Sequence, residues 1–229
     1  MDNDNNPIIY HYRFLFENGI EKEFRVELDS KTLIAIQPDS RAHPEWTALN
    51  FFRCPNCSLD ESTNKYCPVA VNLADIVDSF KSSASYEKVD VSVETNARRY
   101  SKHTTLQRGV SSLIGICMVS SGCPVMEKLK PMVRHHLPFA TEEETKYRAI
   151  SMYLLSQYFL HKKGKVPDWE LKGLARIYED VRTSNRSFCK RLSNIKIEDA
   201  SINAVVVLDC FADAIKFSIK EDILKEMED

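Results

Sequence analysis

YEKVDVSVETNARRYSKHTTLQRGVSSLIGIC, residues 86–117, changes its periodicity halfway along, and that change sets the fold class. In the first half Val89, Val91 and Val93 alternate with polar residues, the signature of a strand with one buried face. The alternation predicts a strand over 86–94, paired with 97–103 across Thr95-Asn96. From Thr104 the apolar residues fall at helical spacing instead, as Leu106, Val110, Leu113, Ile114 and Cys117. Ser120-Ser121-Gly122 then predicts the end of that helix.

Upstream of this switch the chain reads as β-rich. Residues 8–16 (IIYHYRFLF) and 20–28 (IEKEFRVEL) are separated by Glu17-Asn18-Gly19, and Asn-Gly between apolar runs signals a hairpin. Thr32 to Ile36 reads as a third strand, stopped by Gln37-Pro38-Asp39. Pro68 opens a helix over 69–81 whose apolar face is Val69, Leu73, Ile76, Val77 and Phe80. Residues 1–103 thus form a unit of about five strands with one helix.

Downstream the pattern is helical. Pro124 starts a helix carrying Val125, Leu129, Met132 and Val133. Thr141 and Glu144 make a capping box for a helix running to about Lys163, with Tyr147, Ile150, Leu154, Leu155 and Tyr158 on its buried side. Asp168 caps the next helix, striped by Leu174, Ile177, Tyr178, Val181, Phe188, Leu192 and Ile195. Residues 200–217 are apolar nearly all round, which suits a central helix, although Val205-Val206-Val207 also fits a buried strand. The expected class is α+β: a small antiparallel β-rich part, 1–103, followed by a bundle of about five helices, 104–229, packed as one unit.

Apolar residues at 43 % and charged residues at 28 % are ordinary for a folded chain and argue against wholesale disorder. A net charge of −2, with only Arg98, Arg99 and Lys102 clustered, provides no basic stripe for nucleic acid. No run approaches the ~20 apolar residues of a membrane span, and the first residues lack a secretory pattern. The expected location is therefore cytoplasmic, with a protein partner open. In that compartment the seven cysteines read as thiols or metal ligands rather than disulfides.

Cys54-Pro55-Asn56-Cys57 is a CxxC knuckle, and a third cysteine, Cys67, follows after nine residues. The segment between them, SLDESTNKY, has almost no apolar content, so burial alone does not order it. Cys67-Pro68 and Cys123-Pro124 repeat one arrangement, a cysteine just before a helix-opening proline, where free amides and the helix dipole favour a thiolate. Cys54, Cys57, Cys67 and Cys123 are the expected ligand set, and four soft anionic donors suit a tetrahedral Zn²⁺ or a [4Fe–4S] cluster. The spacing is neither a zinc ribbon's second CxxC nor the compact cysteine run of bacterial ferredoxins. The bland alternative is a group of thiols without metal. A thioredoxin-type redox pair fits poorly, because the CxxC runs into a loop rather than a helix.

The run FRCPNC…YCPVAVNLADIVDSF, with GICMVSSGCPVM…MVRHHLPFA and NAVVVLDCF, resembles a family of uncharacterised bacterial proteins. The likeness covers most of the chain and implies one unit, without assigning an activity, cofactor or catalytic residue.

Cys117, Cys189 and Cys210 lie on apolar helical faces and read as small buried hydrophobes, with Cys117, His135 or His136 as possible substitute ligands. His135-His136 reads as a solvated helix end, and Asp209 and Asp213 as the wet edge of the last helix. No nucleophile elbow, metalloprotease helix, phosphate loop or dinucleotide fingerprint occurs. No acid–base constellation accompanies the cysteines, so the leading expectation is a binding or regulatory module with a structural zinc. An iron–sulfur sensor, electron carrier or enzyme is the alternative.

Overall fold

Asn18 and Gly19 fold the chain back on itself. Gly19 takes φ +82°, a left-handed conformation cheap only for glycine, and its amide donates to Phe16 O. The hairpin joins β1 (Ile8–Phe16) to β2 (Glu21–Leu28), and β3 (Lys88–Thr95) and β4 (Arg99–Thr105) complete an antiparallel sheet ordered β2-β1-β3-β4. The computed structural model describes residues 6–37 and 43–220.

Register puts Tyr12 opposite Val93 and Phe14 opposite Val91, so alternate residues of β1 and β3 share one face. Tyr12, Phe14, Val89 and Val93 are fully buried there. The other face is wet and laced with ion pairs, among them Arg13–Glu21 and Arg99–Glu94 at 3.3 Å, and carries a His103–Asp90 hydrogen bond at 2.9 Å.

Two helices cover the buried face, α1 (Pro68–Ser79) and α2 (Leu106–Val119). Gly109 explains how closely α2 sits: a Cβ there would lie 2.8 Å from Val91 Cγ2 and 3.1 Å from Phe14 Cε1. A side chain at that position forces helix and sheet apart.

The segment read as a third strand is not one. Asp29 Oδ1 accepts from the amides of Lys31 and Thr32, and Leu33 takes φ +58°. The chain therefore curls out of the sheet, leaving one bridge, Leu28–Ala35. Ala35 N donates to Ser120 O at the end of α2 rather than to a strand. Four strands form among the described residues, and the predicted stop at Pro38-Asp39 lies outside them.

The helical part holds α3 (Lys130–Arg134), α4 (Glu142–Lys162), α5 (Lys172–Ser193) and α6 (Ala200–Lys220). The helix expected at Pro124 is broken into a 3-10 turn, Met126–Leu129, and the short α3, because Pro131 interrupts the amide ladder. The capping box is present, with Glu144 N to Thr141 Oγ1 at 3.2 Å and Thr141 N to Glu144 Oε2 at 2.7 Å. Asp168 does receive amides, from Lys172 and Gly173, while the cap position itself is Leu171. Residues 200–217 are helical, and Asp209 and Asp213 both pair with Arg182 of α5, Asp209 at 3.5 Å.

The expected buried side of α4 is only partly buried. Ile150 is inside, whereas Tyr147, Leu155 and Tyr158 are exposed. One continuous hydrophobic cluster nevertheless runs from the sheet through α1 and α2 to α5 and α6. Among the described residues no helix is long and apolar enough to cross a membrane.

Candidate functional site

The segment 45–67 starts with two 3-10 turns, Glu45–Thr47 and Leu49–Phe51. The CxxC follows as a tight turn in which Cys57 N donates to Cys54 O at 3.0 Å. The segment returns along itself through an Ala48–Tyr66 bridge, and Cys67 N donates to Thr47 O at 2.8 Å.

A buried cation holds the first part of this segment. Arg191 of α5 is 2 % exposed, and its guanidinium donates to the carbonyls of Trp46, Ala48 (2.8 Å), Leu49 (3.4 Å) and Phe52. Asn56 adds a second anchor, its Nδ2 donating to Asp180 O at 2.9 Å and its Oδ1 accepting from Ser184 Oγ at 3.3 Å. Arg53 ties the loop to itself through Cys57 O and Leu59 O. Sequence reasoning missed Arg191 and Asn56: an arginine near the end of an amphipathic helix reads as surface charge.

The four predicted cysteines are brought together. Cys54, Cys57, Cys67 and Cys123 all line one cavity of about 30 Å³, walled also by Phe188 and Arg191. Cys67 is the residue before α1, with the amides of Val69 and Ala70 facing its sulfur without a closed cap hydrogen bond. Cys123 follows Gly122, at φ +86°, and meets the amides of Met126 and Val125 in the same way. The repeated Cys-Pro geometry is therefore real, even though Pro124 opens a 3-10 turn.

The amides do not win the electrostatic contest. Burial pushes the Cys54 thiol up to about 11, with the neighbouring Cys67, Cys123 and Cys57 adding to the rise. Burial also raises Cys67 and Cys123, against the amides that face them. Metal-free, these three are neutral thiols near pH 7, the opposite of a reactive redox cysteine, whose pKa is depressed. A bound cation reverses this, since a coordinating thiol is deprotonated outright.

Among the described residues, no three His, Cys, Asp or Glu side chains are gathered so that they could hold a metal ion. The four cysteines line one small space. That space exceeds the roughly 10–15 Å³ that a single water needs.

The substitute ligands lie elsewhere. Cys117 is buried in the core and does not line this cavity. His135 is exposed at the end of α3. His136 is no solvated helix end: its Nε2 is 2.6 Å from Tyr12 Oη and 3.4 Å from Ser112 Oγ, and burial drives its pKa down to about 3. Cys189 is half-buried, as expected for a packing residue, but Cys210 is exposed, because α6 turns that side outward.

No curated protein and no solved structure matches this chain. A family profile described as a domain of unknown function, DUF6901, matches residues 10–229, spanning the sheet, the cysteine loop and every helix. The chain belongs to the DUF6901 family.

Proposed function

We propose that Cys54, Cys57, Cys67 and Cys123 hold a [4Fe–4S] cluster, and that the protein works as a one-electron redox or sensing module. The observation that carries this is Arg191. A buried guanidinium needs a compensating negative charge, and carbonyl oxygens supply only dipoles. Among the described residues no carboxylate pairs with Arg191; the groups that offset its burial are the sulfurs of Cys67, Cys54 and Cys57. Those sulfurs carry charge only as thiolates, so an anionic tetrathiolate centre completes an electrostatic arrangement that neutral thiols leave unbalanced.

Geometry favours a cluster over one ion. Four thiolates on a tetrahedral zinc, each ~2.3 Å from the metal, stand ~3.8 Å apart and enclose no space. Here the four cysteines line a cavity with room inside it. Thiolates bound to separate irons are spread more widely, as this arrangement asks. A bound cluster supplies one-electron exchange. With every cluster corner held by cysteine, no coordination position is open to a substrate, so the partner is an electron donor or acceptor.

Anaerobic purification followed by visible spectroscopy tests the proposal. A brown protein with broad absorption near ~400 nm, bleached by dithionite, is expected. Colourless protein with one tightly held zinc per chain would replace the cluster with a structural zinc site on the same residues.

A further inference from the structure

A second cavity, of about 630 Å³, lies between α2, α3, α5 and α6, next to the cysteine cavity, with which it shares Met118 and Met126. Its size is typical of small-molecule sites. Much of the wall is apolar, with Met118, Met126 and Val133 each 2 % exposed and Ile215 fully buried.

The polar part of the lining is unusual in two respects. First, its charge is one-sided. Lys102, Arg108 and Arg148 all line the cavity, and none of them makes an ion pair among the described residues. Its one lining carboxylate, Glu142, is 2.5 Å from Lys146. Lys102 is on the core-facing side of the edge strand β4, in register with buried Val91, so its stem runs toward the helices. Arg148 is anchored on one side, its Nη2 donating to Met132 O and His135 O at 2.8 Å each.

Second, two largely buried residues of α5 contribute polar side chains to the wall. Asn185 is 2 % exposed and Tyr178 is 4 % exposed, both on α5 and both lining this space. Neither the Asn185 amide nor the Tyr178 hydroxyl is among the enclosed side-chain atoms left without a partner; what they offer is polar groups at the cavity wall. They are seven residues apart, about two helical turns, so they point the same way ~10 Å apart along the helix. Tyr178 is close enough to Arg148 to feel its charge.

We infer that this cavity binds an amphipathic anion: a small molecule with a long apolar body and a carboxylate or phosphate head. The head lies among Arg148, Arg108, Lys102 and the Tyr178 hydroxyl. The body lies against the methionines and valines, passing Asn185. This site is independent of the cysteine centre, and its test does not require the centre to be a cluster.

Isothermal titration of the full chain, purified anaerobically so that any centre is retained, uses four ten-carbon probes below their micelle concentrations: decanoate, decyl phosphate, decanol and decyltrimethylammonium. At least one anion should bind ten times or more tightly than decanol, and the cation should not bind. The tighter of the two anions identifies the head group. In the Lys102→Gln/Arg108→Gln variant, whose replaced residues are exposed and make no ion pair among the described residues, the anion should weaken about tenfold while decanol is unchanged. Arg148→Gln should weaken it further, with circular dichroism checking that α3 and α4 persist. Equal binding of decanol and the anions overturns the head-group assignment, and failure of all four probes to bind overturns the site. Either failure leaves the cysteine reading untouched, because the colour and metal content of the same sample report on that separately.

Discussion

The cysteine loop and helix α4 have opposite compositions and opposite fates. Residues 54–67 carry almost no apolar side chains, yet Asn56 and Arg53 tie them down at short hydrogen-bond distances, next to the stretch 46–52 whose carbonyls Arg191 holds. Helix α4 carries Tyr147, Leu155, Tyr158 and Phe159, and all four are exposed. Order in this molecule follows from where a polar clamp is placed as much as from how much apolar surface a segment owns. A single buried guanidinium with four carbonyl partners pins the stretch leading into that polar loop, because leaving those carbonyls buried and unpaired costs about 1–3 kcal/mol each.

The sharpest way to break that comparison is to remove the clamp. Arg191→Met should destabilise the protein by about 3–5 kcal/mol in urea unfolding and expose the amides of 45–57 to fast hydrogen exchange. Arg191→Lys should not rescue it, because an ammonium cannot fork to several carbonyls at once. A loss below ~1 kcal/mol would mean that the loop is held by other means. The clamp also revises what metal removal does: after chelation the segment 46–67 should lose protection at the CxxC but keep it at 46–52, where Arg191 binds.

A second buried polar contact sharpens the point at the junction between sheet and helices. The folded-state pKa of His136, about 3, is below the ordinary 6.5, so the unfolded chain binds its proton more readily. Stability is complete above about pH 6.5 and falls as pH drops through the window down to about 3, by a few kcal/mol at most. In His136→Gln the slope of stability against pH between 6.5 and 4 should flatten. An unchanged slope would assign the acid sensitivity to other groups.

The cysteines divide by setting. Serine at Cys54, Cys57, Cys67 or Cys123 should each abolish stoichiometric metal, whereas Cys189→Ser and Cys210→Ser should leave it intact. Full metal retention in Cys123→Ser would remove the long-range ligand from the set. The smallest effect belongs to α4: Leu155→Gln and Tyr158→Gln, both on its exposed side, should each change stability by less than ~0.5 kcal/mol. Losses above ~2 kcal/mol would show that this face is covered in solution.

Local signals carried much of the fold. Asn18-Gly19, the valine alternation of β3, the Thr141–Glu144 box and the two Cys-Pro steps each act through neighbouring residues, so they are visible in a linear chain. The failures share a cause of longer range or of side-chain competition. Asp29 accepts amides that a strand at 32–36 would use, and Leu33 then turns the chain away. The apolar residues of α4 exceed the surface its neighbours offer. The grouping of Cys123 with three cysteines more than fifty positions earlier was legible from chemistry, but Arg191 among them was not. Arg191 does fall at helical spacing from Phe188, next to Leu192, but a cation following Lys190 reads as the wet edge of that stripe.

The most direct measurement is the iron and acid-labile sulfide content of the anaerobically purified chain, alongside zinc. The account predicts about four iron and about four sulfide per chain, lost together in Cys54→Ser. One zinc per chain, or no metal at all in folded protein with Arg191 still buried, would contradict it.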